Sequence, residues 1–488
     1  MQKTEKYNKL FFFILLSGII LRLSFVSIPI LEVLPSAQSE YATVAKNFYQ
    51  NGFHILKPEF NLITPEFSML RYELNIYPFL TAILYAIFND ANEWLGRCLS
   101  IAFAIGICWI LFFFAKQLYD KKTGMLTAFI FFFSPLSIIY TRTFTPDSLG
   151  LFFSVLSLFC CYKQIYQNKK KYLYFAALAF TVATLVDSFN AYLLLPMILM
   201  GICKEKKISF NLIYLLVFSA VIPVIWWLYS ISINTQWNHE LISKITSYAD
   251  SGLLNSISFW RKIGERLVGP TLTPVGFVFL IISLFKKDVP VFLYIWFIST
   301  FSLILIFPNF ALQNKAILLP LLCVSSILIA KEIGKLHLGL TKKPSRIFLF
   351  FIKTVTFITI PTQISTAYAL PESYRFVYEA GQELQRFADK DDKIIANREL
   401  YYCNRKGWIL DISNEASDDI AINLFESYKN AGAKYLIISE IENYRSHKKF
   451  LNYILDNCEE VVVDYGYRIY KMKQPKLKDI LSISTEIS

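Results

Sequence analysis

The residues best suited to chemistry in this sequence are a few charged side chains at the ends of strongly apolar segments. Asp147 lies in the stretch Thr-Pro-Asp-Ser-Leu, Arg142 precedes it by five residues, and Arg97 opens another apolar segment. A carboxylate can accept a proton from a substrate hydroxyl, and the planar guanidinium group of arginine suits phosphate. These residues predict proton transfer beside a bound anion. Asp147 can equally cap a helix, and an arginine near a membrane interface often only extends towards water.

A second acidic candidate lies on a predicted helix that follows the first apolar segment. Ser36 can cap this helix and Gly52 can end it, so it would run to Asn51. At 100° per residue, Gln38 falls within the apolar arc of the helix and Glu40 lies at its edge. Sixteen residues extend only ~24 Å, which predicts a helix that lies in the outer membrane interface. The polar residues expected on the opposite side are Thr43, Lys46, Asn47 and Gln50.

The elements that must position these residues are mostly membrane spans. Of the 488 residues, 55% are hydrophobic and only 18% are charged, which is typical of a polytopic α-helical membrane protein and not of a soluble enzyme. We expect about eleven transmembrane helices, several of which need flanking residues to reach the roughly 20 residues of a perpendicular span. The apolar segments that indicate them are 10–30, 95–115, 124–140, 148–162, 172–186, 192–203, 212–229, 274–285, 289–307, 317–330 and 347–364.

The net charge of +12 reflects membrane orientation and not nucleic-acid binding. If the N-terminus is cytoplasmic, every basic cluster falls on the cytoplasmic side, as the positive-inside rule requires. These clusters lie near 116–122, 163–171, 204–207, 286–287 and 331–346. The first apolar segment has no cleavage pattern after it, which indicates an anchor and not a removed signal peptide. The regions then predicted outside the cytoplasm are 31–94, 141–147, 187–191, 230–272 and the chain after about 367.

The apolar stretch 77–88 presents a separate problem of orientation. Counting it as a span would invert every later loop and place the lysine clusters outside. We therefore expect a second interfacial helix within the first outer loop, 31–94. Residues 1–366 would form the membrane domain, 367–475 an outer domain, and 476–488 a tail.

The composition after Tyr368 predicts a small α/β domain. Strands are expected near 393–397, 434–439 and 460–464, and 467–472 would close a hairpin at Gly466. Helices are expected at 373–388 and near 418–431 and 443–457. Cys403 and Cys458 share this domain, and sequence leaves open whether they form a disulfide. No spacing of cysteine and histidine typical of a metal site is found, and the chain has four histidines.

Four stretches within residues 10–200 resemble the GT-C membrane glycosyltransferases, family 39, which includes relatives of the protein O-mannosyltransferases and aminoarabinose transferases. The stretches are AQSEYATVAKNFYQNGFHIL, ELNIYPFLTAILYAIF, NEWLGRCLS and SPLSIIYTRTFTPDSL. The first is most similar to a subgroup with Arg-Gln-Thr-x-Thr-Ala. The resemblance implies transfer of a sugar from a polyprenyl-phosphate carrier, with undecaprenyl expected, to a lipid, glycan or protein acceptor. The reaction would take place on the outer face of a bacterial inner membrane. The family is mixed in metal use, so a divalent metal is an open alternative.

The resemblance also implies roles for residues of the first interfacial helix. Relatives carry Asp-Glu at its start, with the Asp as the base, and the matching residues here are Ala37 and Gln38. The expected Asp is therefore absent. Glu40 is the nearest carboxylate and either replaces it or is a solvated surface charge. Gln38 and Tyr41 are candidate sugar contacts.

The remaining family positions concern the second half of the site. Relatives place a second acidic residue at Asp147 and an arginine at Arg97, and the subgroup has a glutamate similar to Glu73 before its second interfacial helix. We predict that Arg97 and Arg142 hold the phosphate and that Glu73 contacts substrate, unless it is a surface charge. Asp187 replaces a basic residue of many relatives. It is a further candidate contact, a helix cap, or a partner of one of the two arginines.

Two alternatives to an active transferase remain open at this stage. The missing Asp leaves room for an inactive relative that binds lipid carriers. A transporter is the other alternative, although it would predict paired charges in mid-membrane, whereas these charges gather at the outer ends of spans. The stretch Tyr401-Tyr402 and Lys406-Gly407-Trp408 resembles a motif of relatives, and core packing is our interpretation of it.

Overall fold

The computed structural model describes residues 2–63, 71–205, 210–235, 238–338, 361, 364–365, 372–396, 400–410, 417–439, 444 and 446–473. The chain divides into two compact units. The first comprises 1–34, 48–58 and 67–369, and the second comprises 35–47, 59–66 and 370–488.

The first unit is helical. Its longer helices form because apolar residues continue over three or more turns, and polar or helix-ending residues separate them. With α2, which begins in the second unit, the helices are α1 (Gln2–Leu23), α2 (Pro35–Asn51), α3 (Ile76–Phe88), α4 (Glu93–Leu118), α5 (Lys121–Phe133), α6 (Pro135–Tyr140), α7 (Asp147–Gln167), α8 (Lys171–Val186), α9 (Leu194–Glu205), α10 (Phe210–Ile233), α11 (Asn238–Tyr248), α12 (Ile257–Arg266), α13 (Thr273–Leu284), α14 (Val291–Ile306), α15 (Pro308–Gln313) and α16 (Leu319–Leu338).

Within the described residues, four helices are long and apolar enough to cross a membrane. They are α4, α7, residues 215–233 of α10, and residues 315–335, which include most of α16. A bent pair, 257–271 followed by 273–284 at 105°, makes a fifth if the two parts form one span. The predicted membrane class is therefore supported, whereas the number eleven stays a prediction. The predicted span 347–364 lies almost entirely outside the described residues.

A buried arginine joins α1 to the helices beside it. Arg22 donates to the hydroxyls of Thr141 at 3.0 Å and Ser137 at 2.8 Å, and to the carbonyl of Phe132 at 3.0 Å. Gly18 allows this approach, since a Cβ there would lie 2.3 Å from the ring of Phe132. A charge at this depth is stable only when its donors are satisfied. The bonds fix the chain immediately before Arg142.

Helix α2 differs from its sequence prediction at its start and on its polar side. Ser36 does not cap it, because the helix begins at Pro35, a favoured first residue, and Leu34 in the left-handed region (φ 49°) precedes it. It ends before Gly52 as predicted. Thr43 and Asn47 were expected to face water but are buried.

The second unit contains a five-stranded sheet in the order β2-β1-β3-β5-β4. The strands are β1 (Lys393–Ala396), β2 (Gly407–Ile409), β3 (Ala433–Ser439), β4 (Cys458–Val463) and β5 (Tyr467–Met472). β1 pairs in parallel with β2 and β3, and β5 pairs antiparallel with β3 and β4. The helices of this unit are Glu372–Gln385, Leu400–Cys403, Asp418–Asn430 and Lys448–Asn457. The predicted strands and the hairpin at Gly466 are confirmed, whereas β2 was missed because three residues carry no periodic signal.

The two cysteines of this unit lie on opposite faces of the sheet. Successive strand residues point to opposite sides. Cys403 packs in the cluster that contains Ile394, and Cys458 packs in the cluster that contains Ile395. Both thiols are free, which answers the disulfide question. The aromatic residues of the Tyr-Tyr and Lys-Gly-Trp stretches are buried, so their interpretation as core packing is confirmed.

Candidate active site

A pocket in the first unit brings two of the predicted acidic residues together. Asp147 and Asp187 both line it, together with Asn190 and Asn314. The cavity volume is about 60 Å³, and because one water needs at least roughly 10–15 Å³, it holds several waters or a small polar group. Phe189 and Phe310, whose rings stack with centroids 4.9 Å apart, also line it. Two carboxylates, two amides and an aromatic pair suit a ligand rich in hydroxyls.

Asp147 is held by a neighbouring hydroxyl and does not cap its helix. Helix α7 begins at Asp147 itself, and its N-cap residue is Pro146. The carboxylate accepts a hydrogen bond from Thr145 at 2.5 Å, and the hydroxyl of Thr143 lies 2.7 Å from that of Thr145. The cap interpretation of Asp147 is therefore wrong.

Hydrogen bonds from residues of α3 and α4 hold the loop that contains Thr143 and Thr145. Ser100 of α4 donates to the carbonyl of Thr143 at 2.8 Å, and the hydroxyl of Tyr77 lies 2.9 Å from that of Ser100. Tyr77 also donates to the carbonyl of Gly96, and a Cβ at Gly96 would lie 2.2 Å from the ring of Phe144. The carboxylate of Asp147 thus sits on a support of buried hydrogen bonds, which is what a catalytic group requires.

Asp187 caps the short helix Ser188–Leu193, as one of its interpretations predicted. Its Oδ1 accepts from the backbone N–H of Phe189 at 2.9 Å. Burial raises the pKa of Asp187 to about 7, and the nearby charge of Asp147 adds to this, while the N–H of Phe189 opposes it. Asn190 beside it donates to the carbonyl of Ala183 and accepts from Ser154. Asp187 therefore offers a carboxyl that is mostly protonated below about pH 7.

Arg97 and Arg142 meet at a carboxylate that the sequence did not single out. Glu32 lies 2.5 Å from Arg97 and 3.4 Å from Arg142, and all three side chains are at most 2% exposed. The alternative in which Asp187 pairs with either arginine is therefore wrong. The sequence around Glu32, Pro-Ile-Leu-Glu-Val, gave no signal beyond one charge among apolar residues.

The same two arginines also hold the backbone that follows α1. Arg97 donates to the carbonyls of Val26 at 2.7 Å and Ile28 at 2.5 Å. Arg142 donates to the carbonyls of Ser24 at 3.1 Å and Phe25 at 3.0 Å. Phe25 has a left-handed backbone (φ 59°), which costs roughly 1–2 kcal/mol for a non-glycine residue. The arginines stabilise this turn.

Glu73 lies in a segment held between α8 and α10. The N–H of Leu74 donates to the carbonyl of Leu185 at 3.1 Å, and Trp226 donates to the carbonyl of Tyr72 at 3.0 Å. The backbone at Glu73 thus runs beside the residues that lead into Asp187. Glu73 itself is half-buried.

Gln38, Glu40 and Tyr41 belong to the second unit. Gln38 is fully buried, which agrees with its predicted place on the apolar arc of α2. Glu40 and Tyr41 are half-buried, so Glu40 is not a fully solvated charge. The catalytic and binding roles of these residues stay predictions.

Two basic residues near the pocket were missed by sequence reasoning. Arg266 donates to the carbonyls of Ala311 and Leu312, just before the pocket residue Asn314. The charge of Arg266 lies close enough to interact electrostatically with Lys315 and with Tyr140. Tyr140 is also within electrostatic range of Asp147. Within the described residues, neither Arg266 nor Lys315 forms an ion pair with a carboxylate. Nothing in the sequence distinguished Arg266 within its polar loop.

The part of the chain that the structure describes contains no group of three or more His, Cys, Asp or Glu side chains that would hold a metal. Asp147 and Asp187 are two carboxylates on one pocket. They would supply part of a ligand set, so a divalent metal remains an open alternative.

Comparisons with known proteins agree with the predicted resemblance. Residues 76–228 match the sequence profile of the family Dolichyl-phosphate-mannose-protein mannosyltransferase. No curated protein matches the sequence. The structure is similar to ArnT from Cupriavidus metallidurans bound to undecaprenyl phosphate, with TM-score 0.64, 12% identity, 95% of this chain covered and 99% of that chain.

Two further solved structures resemble the chain. The archaeal oligosaccharyltransferase AglB from Archaeoglobus fulgidus, in complex with an inhibitory peptide and a dolichol-phosphate, gives TM-score 0.57 at 13% identity, with 96% of this chain and 75% of that chain covered. The arabinofuranosyltransferase AftD from Mycobacteria gives TM-score 0.56 at 12% identity, with 95% of this chain but only 40% of that chain covered.

The class that these observations define is the GT-C fold of membrane glycosyltransferases. Within that class, the matched profile connects about a third of the chain to the mannosyltransferase family. The predicted resemblance is thus confirmed, whereas the Arg-Gln-Thr-x-Thr-Ala subgroup stays a prediction.

Proposed function

We propose that this protein is a membrane glycosyltransferase that moves a sugar from a polyprenyl-phosphate donor to a hydroxyl of a lipid, glycan or protein acceptor. The carrier would be undecaprenyl phosphate and the reaction would occur on the outer face of a bacterial inner membrane. The observation that carries the proposal is the carboxylate of Asp147, which lines a pocket, is not the N-cap of its helix and accepts hydrogen bonds from Thr145 and from its own backbone N–H. Binding of undecaprenyl phosphate by the structurally similar ArnT supports the choice of donor.

The reaction would proceed in one displacement at the anomeric carbon. The acceptor oxygen forms its bond to this carbon while the bond to the phosphate oxygen breaks, and the phosphate leaves with the electron pair. Asp147 accepts the hydroxyl proton as that oxygen loses electron density. Glu40 on α2 is the alternative base that replaces the missing Asp. Asp187, in the protonated form that its raised pKa favours, would donate a hydrogen bond to the sugar or to the leaving group, and Gln38, Tyr41 and Glu73 remain proposed substrate contacts.

Arg266 and Lys315 are better placed than Arg97 and Arg142 to bind the phosphate. Arg97 and Arg142 already contact Glu32 and several carbonyls, and separating them from Glu32 would leave a buried carboxylate without its charged partners. Arg266 and Lys315 lie next to the pocket residue Asn314 and pair with no described carboxylate. Fixed cations beside a leaving phosphate stabilise its developing charge.

Two observations favour a second candidate function. The Asp of relatives is replaced by Ala37, and the predicted phosphate ligands Arg97 and Arg142 are engaged with Glu32. An inactive relative that binds the carrier without transferring its sugar would have these features.

The test is transfer of a labelled sugar from polyprenyl-phosphate donors by membranes that contain the wild type, Asp147→Asn or Glu40→Gln. We expect Asp147→Asn to lower turnover by about 10²–10⁴-fold, the usual contribution of a general base. Asp90→Asn, at an exposed acid of the same unit, is the matched control and should retain activity. Carrier binding without transfer by the wild type would establish the inactive relative instead.

A further inference from the structure

A segment of the first outer loop pairs with the edge of the C-terminal sheet. The N–H of Gly407 donates to the carbonyl of Asn61 at 2.9 Å, and the N–H of Ile63 donates to the carbonyl of Gly407 at 2.8 Å. Leu62 thus pairs in parallel with Gly407 at the outer edge of β2. On its other side Gly407 pairs with Ile394 of β1. Residues 61–63, which we call the strand 61–63, therefore add one β-bridge to the edge of the sheet.

Gly407 permits the close approach of β2 to β1 on its other side, because no side chain fits at its position. A Cβ there would lie 2.0 Å from the carbonyl oxygen of Ile394. Trp408, the next residue, is buried in the cluster against which Ile63 packs. The Lys-Gly-Trp stretch thus has a task beyond core packing, which is to receive the strand 61–63. Lys406 adds an exposed ion pair with Glu59 at 3.6 Å.

Helix α2 is connected to this strand through one buried amide. Asn47 donates to the side-chain oxygen of Asn61 at 3.1 Å and to the carbonyl of Glu59 at 2.9 Å. Both asparagines are at most 8% exposed. The ammonium of Lys46 lies 5.6 Å from the centre of the Tyr401 ring, within the range of a cation–π contact. A hydrogen bond at this depth is costly to break, since each group would remain buried and unsatisfied.

The anchored side of α2 is also the side that bears its candidate base. Seven residues make nearly two turns, so Glu40 and Asn47 lie within about 20° of each other around the helix axis. Thr43 lies between them on the same stripe and is buried. The bond at Asn47 therefore restricts rotation of the stripe on which Glu40 lies.

We propose that Asn47 and Asn61 are positioning residues, through which the outer sheet sets the orientation of α2 for the reaction. This inference rests on the proposed function, because it assumes that Glu40 faces substrate. A displacement of 1 Å in a reacting group can cost about 10²-fold in rate. The bond from Asn47 to Asn61 therefore acts on turnover through Glu40 and not through contact with substrate.

The test compares Asn61→Leu and Asn61→Asp with the wild type in the full-length protein. Leucine removes the acceptor of the Asn47 amide at similar volume, whereas aspartate keeps an oxygen in its place. Asn61→Leu should raise amide hydrogen exchange in residues 35–47 by about tenfold or more, since the lost bond and its unsatisfied partner weaken the anchor. Exchange in α7 should stay unchanged. Gln50→Leu, at an exposed position of the same helix, is the matched control.

Kinetics separate a positioning role from a purely structural one. Asn61→Leu should lower kcat by about tenfold or more with donor KM unchanged, and Asn61→Asp should restore both kcat and the exchange protection. Unchanged exchange in Asn61→Leu would overturn the anchoring, and raised exchange with wild-type kcat would overturn the positioning role. If the wild type transfers no sugar, the proposed function and the positioning role fail together, while the exchange result still decides whether the anchor exists.

Discussion

Removing the carboxylate of Glu32 should destabilise the protein more than removing any exposed acid. Glu32→Gln keeps the size of the side chain and one hydrogen-bond acceptor but removes the charge that Arg97 and Arg142 share at 2.5 and 3.4 Å. Breaking a buried ion pair from one side typically costs about 3–5 kcal/mol, because the remaining charge stays buried. The retained amide oxygen places Glu32→Gln near the lower end of this range.

The matched control is Glu265→Gln. Glu265 pairs with Arg261 at 3.6 Å, but both side chains are about two-thirds exposed or more, and such pairs contribute at most about 1 kcal/mol. Both variants would be compared by thermal unfolding in detergent at one scan rate and by the half-life at a fixed temperature, since unfolding of large proteins is often irreversible. Glu32→Gln should unfold at a clearly lower temperature than Glu265→Gln.

Measuring how tightly the same variants bind a polyprenyl phosphate decides whether Arg97 and Arg142 have a structural role or bind the phosphate. If Glu32 holds Arg97 and Arg142 in a structural role, Glu32→Gln should not strengthen binding of a polyprenyl phosphate. If the arginines are phosphate ligands that Glu32 occupies, the variant should bind the carrier more tightly. Equal stability of the two variants together with tighter carrier binding would refute the structural reasoning and restore the role predicted from sequence.

Three further predictions follow from other sites. The pKa of Asp187 in the folded protein is raised to about 7 from an ordinary value near 4, so between these pH values the native state binds more protons than the unfolded state. The free energy of unfolding should therefore fall as pH rises from about 4 to 7. Asp187→Asn should flatten this part of a pH series of unfolding temperatures. Arg266→Gln and Lys315→Gln should each raise the donor KM several-fold in the transfer assay, whereas the exposed Lys262→Gln should leave it unchanged. Gly407→Ala should destabilise the second unit by about 3 kcal/mol or more, because its Cβ would overlap the Ile394 carbonyl. Gly432→Ala, where φ is positive but space is open, should cost less in the same denaturant titration.

Local sequence patterns predicted the elements of this fold well. Helix α2 ends where Gly52 predicts, and β1, β3, β4 and β5 coincide with the apolar stretches expected to form them. These features depend on neighbours within a few residues, which a periodic pattern records. The Ser36 cap failed for the same local reason, because Pro35 is a better first residue and starts the helix earlier.

The sequence indicated which charged residues belong to the candidate site, but it did not indicate which residues they contact. Asp147 and Asp187 were singled out by their places at the ends of apolar segments, and the structure brings both to one pocket. Arg97 and Arg142 were singled out by the same reasoning, yet both contact Glu32, which no sequence pattern marked. Glu32 lies 65 residues from Arg97 and 110 residues from Arg142 in the chain. A charge at the end of a span is visible in sequence, whereas the opposite charge that neutralises it is not.

The sequence by itself determined the membrane class, the α/β character of the C-terminal region and the resemblance to GT-C enzymes, whereas the orientation expected from its lysines stays a prediction. These follow from composition and short-range order, which do not depend on how distant segments pack. Only the tertiary structure decided that Glu32 joins the two arginines, that Asp187 shares a pocket with Asp147, and that Leu62 pairs with Gly407 at the edge of the C-terminal sheet. Such contacts join residues far apart in the chain, and burial makes each group take whichever partner the packing leaves within reach.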